Sequence, residues 1–173
     1  MLKKIHWIMM NVVTFILILL LLFLPLFDLK SIGSDNIFGN KMLFGFHFLT
    51  GYTTKNANGE FVQIIASKLV GFVPVMMLLS MWIVSKLTKS NLRKDVINFL
   101  CLAVSFVFVF LLPVIAPTFL NENYQEMFEF SRLGGYWVNL ILVGIVFIYY
   151  IVILIYNIIK TYRENKEDEK RGS

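Results

Sequence analysis

The chain has 173 residues, of which 58% are hydrophobic and 16% charged, with a mean hydropathy of +0.74 and a formal charge of +5. Soluble domains are about half apolar and about a quarter charged, so an ordinary water-soluble core is excluded. The basic residues flank long apolar runs, where anionic headgroups hold each by about 1 kcal/mol. The charge therefore points to a lipid bilayer and to no nucleic acid.

Residues 7–27 form the first of four apolar runs, followed by 67–85, 96–116 and 136–159, each long enough for a hydrocarbon core of roughly 30 Å. The expected fold is all-α, a four-transmembrane-helix bundle in one membrane domain (1–159) with a charged cytoplasmic tail (160–173). Lys3 and Lys4 precede the first run as in a secretory signal. Its apolar length exceeds the roughly 7–15 residues of a signal core, and Pro25-Leu26-Phe27-Asp28 offers no small-x-small cleavage site, so it reads as a retained anchor. With the N-terminus inside, eleven Lys/Arg fall on inner segments and five on outer ones, which places both termini in the cytoplasm. Trp7, Trp82, Tyr156 and Tyr162 fit an inner aromatic belt, and Tyr136 and Trp137 an outer one.

The first outer loop alternates Phe44, Phe46 and Phe48 with Leu43, Gly45, His47 and Leu49, a strand period that is nearly apolar on both faces. Asn56-Ala57-Asn58-Gly59 supplies a turn, and Phe61-Val62-Gln63-Ile64 is the expected returning strand of an extracytoplasmic hairpin. A lone hairpin is marginal in water, so Phe44, Phe46, His47 and Phe48 are candidate interaction residues. In the second outer loop, Tyr124, Met127, Phe128 and Ser131 share one side of an expected short amphipathic helix, ended by Gly134-Gly135.

Polar side chains within the runs follow helical stripes. The fourth run carries Asn139, Val143, Val146, Tyr150, Ile153 and Asn157 at 4-3-4-3-4 spacing, and the third carries Asn98, Cys101 and Ser105. The second has Ser67, Gly71, Pro74, Leu78, Met81 and Ser85, and the first Asn11 and Thr14. Amides and hydroxyls in hydrocarbon seek partners, so Asn98, Ser105, Asn139, Tyr150 and Asn157 form a candidate seam, either inside the bundle or between subunits. Asn139 and Asn157 lie about 27 Å apart along the axis, a spacing of glue at two ends and not of a continuous wet pore. All four prolines cluster toward the outer side, where they are expected to end helices.

No Asp, Glu, Lys, Arg or His lies in the central turns of the runs, and the single Cys101 excludes an intrachain disulfide or thiolate cluster. The outer loops supply the carboxylates Asp28, Asp35, Glu60, Glu122, Glu126 and Glu129, with His47, for acid–base work, and nothing in their spacing gathers them. Asp28 and Asp35 stand outside the motifs of lipoprotein signal peptidases. The plan is similar in architecture to claudin-type proteins, but residues 28–66 lack the Trp and paired Cys of their signature, and such a likeness carries no function. The expected function is a non-catalytic membrane subunit, with no metal or cofactor, that assembles with itself as a homo-oligomer or with a partner protein in sensing, immunity, defence or transporter support. A small oligomeric channel or transporter and an outer-face lipid-directed enzyme are the alternatives. Abundant Ile, Lys, Asn and Phe suggest a bacterial plasma membrane.

Overall fold

The first apolar run breaks at Pro25, which cannot donate to a helix. Helix α1 (Leu2–Phe23) ends just before it, and strand β1 (Pro25–Ser31) begins at once. The reason is periodicity: Phe27 and Leu29 are fully buried while Asp28 and Lys30 take the other face. The structure, a computed structural model, describes residues 2–32, 40–56, 58–88 and 91–172. Strand β1 is the centre of a three-stranded antiparallel sheet, flanked by β2 (Lys41–Phe44) and β5 (Phe128–Arg132). Its register sets Asp28 against Met42 on one side and Ser131 on the other, with Leu29 opposite Phe130.

Short helix α2 (Gly45–Thr50) follows β2, and β3 (Tyr52–Lys55) and β4 (Phe61–Ile65) form a separate antiparallel hairpin. The other edge of β4 is covered: the Asn121 N–H donates to Ile64 O at 2.9 Å and the Ala66 N–H to Phe119 O at 2.8 Å. Three long helices complete the chain: α3 (Val73–Leu87), α4 (Asn91–Ile115) and α5 (Gly134–Gly172).

These elements correct the expected all-α, four-span bundle. The fold is mixed α and β, and among the described residues there are two antiparallel sheets and two helical segments long and apolar enough to cross a membrane, Leu92–Phe119 and Gly134–Glu164. The apolar parts of α1 and α3, Met10–Phe23 and Val73–Val84, are shorter. Helix α3 has 15 residues, about 22 Å, against a core of roughly 30 Å. Its expected first turns are instead an extended segment and a 3-10 turn at Leu69–Phe72, and Pro74 sits where a missing N–H is harmless.

Two loop expectations also change. The 43–49 alternation is a strand only as far as Phe44, and then becomes α2. The returning strand exists, as β4, but pairs with β3. The expected amphipathic helix of the second outer loop is a 3-10 segment, Glu122–Met127, followed by β5. Phe128 and Phe130 alternate with Glu129 and Ser131, a period of two that suits a sheet edge. Pairing with β1 supplies the long-range hydrogen bonds that decide the outcome.

The core has two parts. Between the helices, Leu17 and Leu21 of α1, Leu78 and Met81 of α3, Leu102 and Val109 of α4 and Val143 of α5 are buried together. Above them, Phe27, Leu29, Leu43, Phe48, Ile64 and Phe119 join the sheets to the ends of α4 and α5 through Leu112, Ala116 and Tyr136. Phe27 is the hub, with ring centroids 6.0 Å from Phe48, 5.9 Å from Phe130 and 5.8 Å from Tyr136. The sheets thus form a cap on one end of the helical layer.

Candidate functional site

The seam residues face inward. Ser105, fully buried on α4, donates to Cys101 O at 2.9 Å and to Pro74 O of α3 at 3.4 Å. Asn139, also fully buried, donates through Nδ2 to Gly135 O of its own helix at 2.9 Å and to Leu20 O of α1 at 3.2 Å. At the other end of the layer, the Asn98 side chain on α4 lies beside Tyr150 of α5, and Asn157 Nδ2 donates to Asp95 Oδ2 at 2.6 Å. Ser105, Asn139 and Asn157 therefore hydrogen-bond within the chain, and Asn98 and Tyr150 lie side by side. They tie α5 to α1 at one level and to α4 at another, and α4 to α3 between them.

Asp95 is the residue that the sequence reading missed. It lies just before the third apolar run, where a charge is unremarkable, yet 95, 98, 101 and 105 continue one helical stripe, which is the signal that marks it. In the first run, Thr14 turns to its own helix and donates to Met10 O at 2.8 Å. Trp82 Nε1, Asn98 Oδ1 and Asn139 Oδ1 are buried polar atoms with no hydrogen-bond partner among the described residues. Trp82 itself stacks on Phe15 of α1, centroids 6.1 Å apart and planes 9° from parallel. The side chains of Trp7 and Ser85 lie outside the described residues.

The cap holds the second predicted set. Phe48 is buried against Phe27 and Phe119, with centroids 6.0 and 5.2 Å away. Phe44 and Phe46 are half-buried, stacked at 5.8 Å, and Phe46 reaches Phe23 of α1 at 6.1 Å. His47 is buried among three rings, Phe46 at 4.1 Å, Tyr52 at 4.6 Å and Phe44 at 5.5 Å. Its Nδ1 accepts the Phe44 N–H at 3.2 Å, so the neutral tautomer carries its proton on Nε2. Burial pushes its pKa below the ordinary histidine value.

The loop carboxylates are not gathered around His47. Asp28 faces Met42 and Ser131 across the sheet, and Glu60 accepts from Asn56 Nδ2 at 3.1 Å in the hairpin turn. Glu122 and Glu126 lie in the 3-10 segment and Glu129 on β5, while Asp35 lies outside the described residues. Among the described residues no three His, Cys, Asp or Glu side chains form a metal-binding group.

The surfaces differ between helices and cap. On α5, Ile141, Ile145, Ile148, Val152 and Ile155 are each more than half exposed at 4-3-4-3 spacing, an apolar stripe fit for lipid. On the cap, Ile32, Met42, Phe61 and Met127 are exposed. Ile32 and Met127 touch, since the Ile32 N–H donates to Met127 O at 2.8 Å, at the end of the β1–β5 pair remote from α1 and α5. Comparison with family models, with curated proteins and with solved structures finds no match for this chain.

Proposed function

We propose that the protein is a non-catalytic integral membrane subunit whose helices sit in the bacterial plasma membrane and whose sheet cap binds a second copy or a partner protein outside it. Exposed Ile32, Met42, Phe61 and Met127 on the cap carry this reading. Apolar side chains of that size on small sheets beyond the helices are the material of a protein interface. In this reading α4 and α5 cross the bilayer in opposite directions and α1 and α3 pack beside them. The sequence supports it through the side that Arg93, Lys94, Lys160, Arg163 and Lys166 would occupy, the cytoplasm, together with both termini.

An oligomeric channel is the weaker reading. Three of the seam side chains that would line a path, Ser105, Asn139 and Asn157, hydrogen-bond within the chain, although a gate that works by dewetting needs no polar lining. The first test is native mass determination in mild detergent, with identification of any co-purifying protein. A defined homo-oligomer or a defined partner that is lost in Phe61→Ser or Met42→Ser supports the subunit reading. A clean monomer without a partner overturns it, and ion flux in reconstituted liposomes would favour the channel.

A further inference from the structure

His47 occupies both ends of α2. Its ring Nδ1 accepts the N–H of Phe44, the residue before the helix, as the side chain of the third helical residue does in a capping box. Its own carbonyl accepts the N–H of Gly51, the residue that ends the helix, at 2.9 Å. Six residues make too short a helix to hold itself, so tertiary contacts and this cap keep α2 in place. The contacts are tight: a Cβ on Gly45 would lie 1.8 Å from Leu21 O, and one on Gly71 would lie 2.5 Å from Phe48 O. The side of α2 that these contacts press down covers an apolar crevice of about 20 Å³ between Leu21 and Leu22 of α1, Pro74 of α3 and Val109 of α4, to which α2 contributes Gly45 and Phe48.

We propose that His47 is a pH-operated latch that holds α2 closed over this crevice while the ring is neutral and releases the first turn of α2 when the ring is protonated. A protonated imidazole has donors on both nitrogens, so Nδ1 would meet the Phe44 N–H donor to donor and the capping bond would be lost. The ionisable groups on neighbouring elements do not replace it. Tyr52 of β3 presents its ring, Lys41 lies on β2, and Lys68, ahead of the 3-10 turn, donates its ammonium to Thr118 O. Helix α1 brings Leu21, Leu22 and Phe23 to this side. Burial is the cause that lowers the His47 pKa, and among the described residues no carboxylate contributes to it. The surrounding rings give a cation some attraction, which keeps the ring in the cap while the backbone turn opens. The latch stands independently of the subunit reading.

The test is amide hydrogen exchange of residues 44–51 in the full chain in lipid nanodiscs, at pH 7.5 and 5.0, corrected for intrinsic rates. The expected result is a loss of protection of about five- to ten-fold at pH 5.0, the scale of one lost cap, with α4 unchanged. His47→Gln keeps an acceptor and removes the titration, so its protection should stay flat, while His6→Gln should behave as the parent chain. Equal protection at both pH values, or the same acid loss in His47→Gln, overturns the latch. A nitrogen-15 titration of the imidazole gives a second readout without that variant. A bare Nδ1 at pH 7.5 that protonates below the ordinary histidine range supports the latch, and an Nδ1–H tautomer overturns it.

Discussion

Gly135 lies so close to the backbone of Pro25 that a Cβ there would be 2.3 Å from the Pro25 carbonyl oxygen. This contact sets the first turn of α5 against the first residue of β1, at the joint between helical layer and cap. The neighbouring Gly134 has nothing within 4 Å of the same position. Gly135→Ala should therefore destabilise the protein by about 1–3 kcal/mol, as overpacking does, while Gly134→Ala should be neutral or slightly stabilising. Thermal unfolding of both variants in one detergent checks the contrast, and equal melting temperatures would show that the joint yields.

Phe27 carries the cap core. Its ring meets Phe48, Phe130 and Tyr136, one each from α2, β5 and α5, and it is fully buried. Phe27→Ala should cost about 3–5 kcal/mol. Phe61→Ala, on an exposed ring with the Lys55 ammonium 5.0 Å from its centroid, should change stability by under about 1 kcal/mol. Chemical denaturation of the two variants separates a core aromatic from a surface one. It also keeps Phe61 usable as an interface probe, because loss of binding in its variants would not be loss of fold.

The lowered pKa of His47 fixes the sign of a pH effect. Above about pH 6.5 the ring is neutral in both folded and unfolded chains and the equilibrium between them is insensitive to this group. As pH falls through that value the unfolded chain takes up a proton that the folded cap resists, so stability declines until the folded pKa is passed. Melting temperature should drop between pH 7 and 5 in the parent chain, and the drop should shrink in His47→Gln. A parent chain that melts higher at pH 5 than at pH 7, with the difference abolished by the same substitution, would reverse the assigned sign.

Long apolar helices and the inward polar stripes were legible because 3.6-residue periodicity is local. Asn139, Ser105 and Asn98 each lie on the face that the spacing indicates. Strand β4 was legible from its alternation and the Asn-Gly turn before it, but β1 and β5 were not. Phe23-Leu24-Pro25-Leu26-Phe27 reads as one continuous apolar run, and pairing with β2 and with β5, about a hundred residues on, joins the break at Pro25 in making its second half a strand. The 43–49 segment misled in the opposite direction, because phenylalanines spaced two apart also fit a short helix whose rings spread around α1, β3 and Phe119. Asp95 was hidden by position, since a charge at a span boundary is unremarkable until Asn157 is found 2.6 Å away.

That pair supports a last prediction. Asp95 and Asn157 join α4 to α5 at the end of the layer opposite the cap. Interhelical hydrogen bonds in membranes average about 0.6 kcal/mol and reach about 1.7, and a charged acceptor places this one toward the upper end. Asn157→Ala and Asp95→Ala should therefore each destabilise the protein, and the double variant should lose at least about 0.5 kcal/mol less than the two single losses together. Asn139→Ala joins α5 to α1 at the other end of the same helix, more than 20 Å away by helical rise, and should combine additively with Asn157→Ala. Strong coupling between those two distant sites would mean that α5 docks as one cooperative unit; additivity would mean that its two ends are held independently.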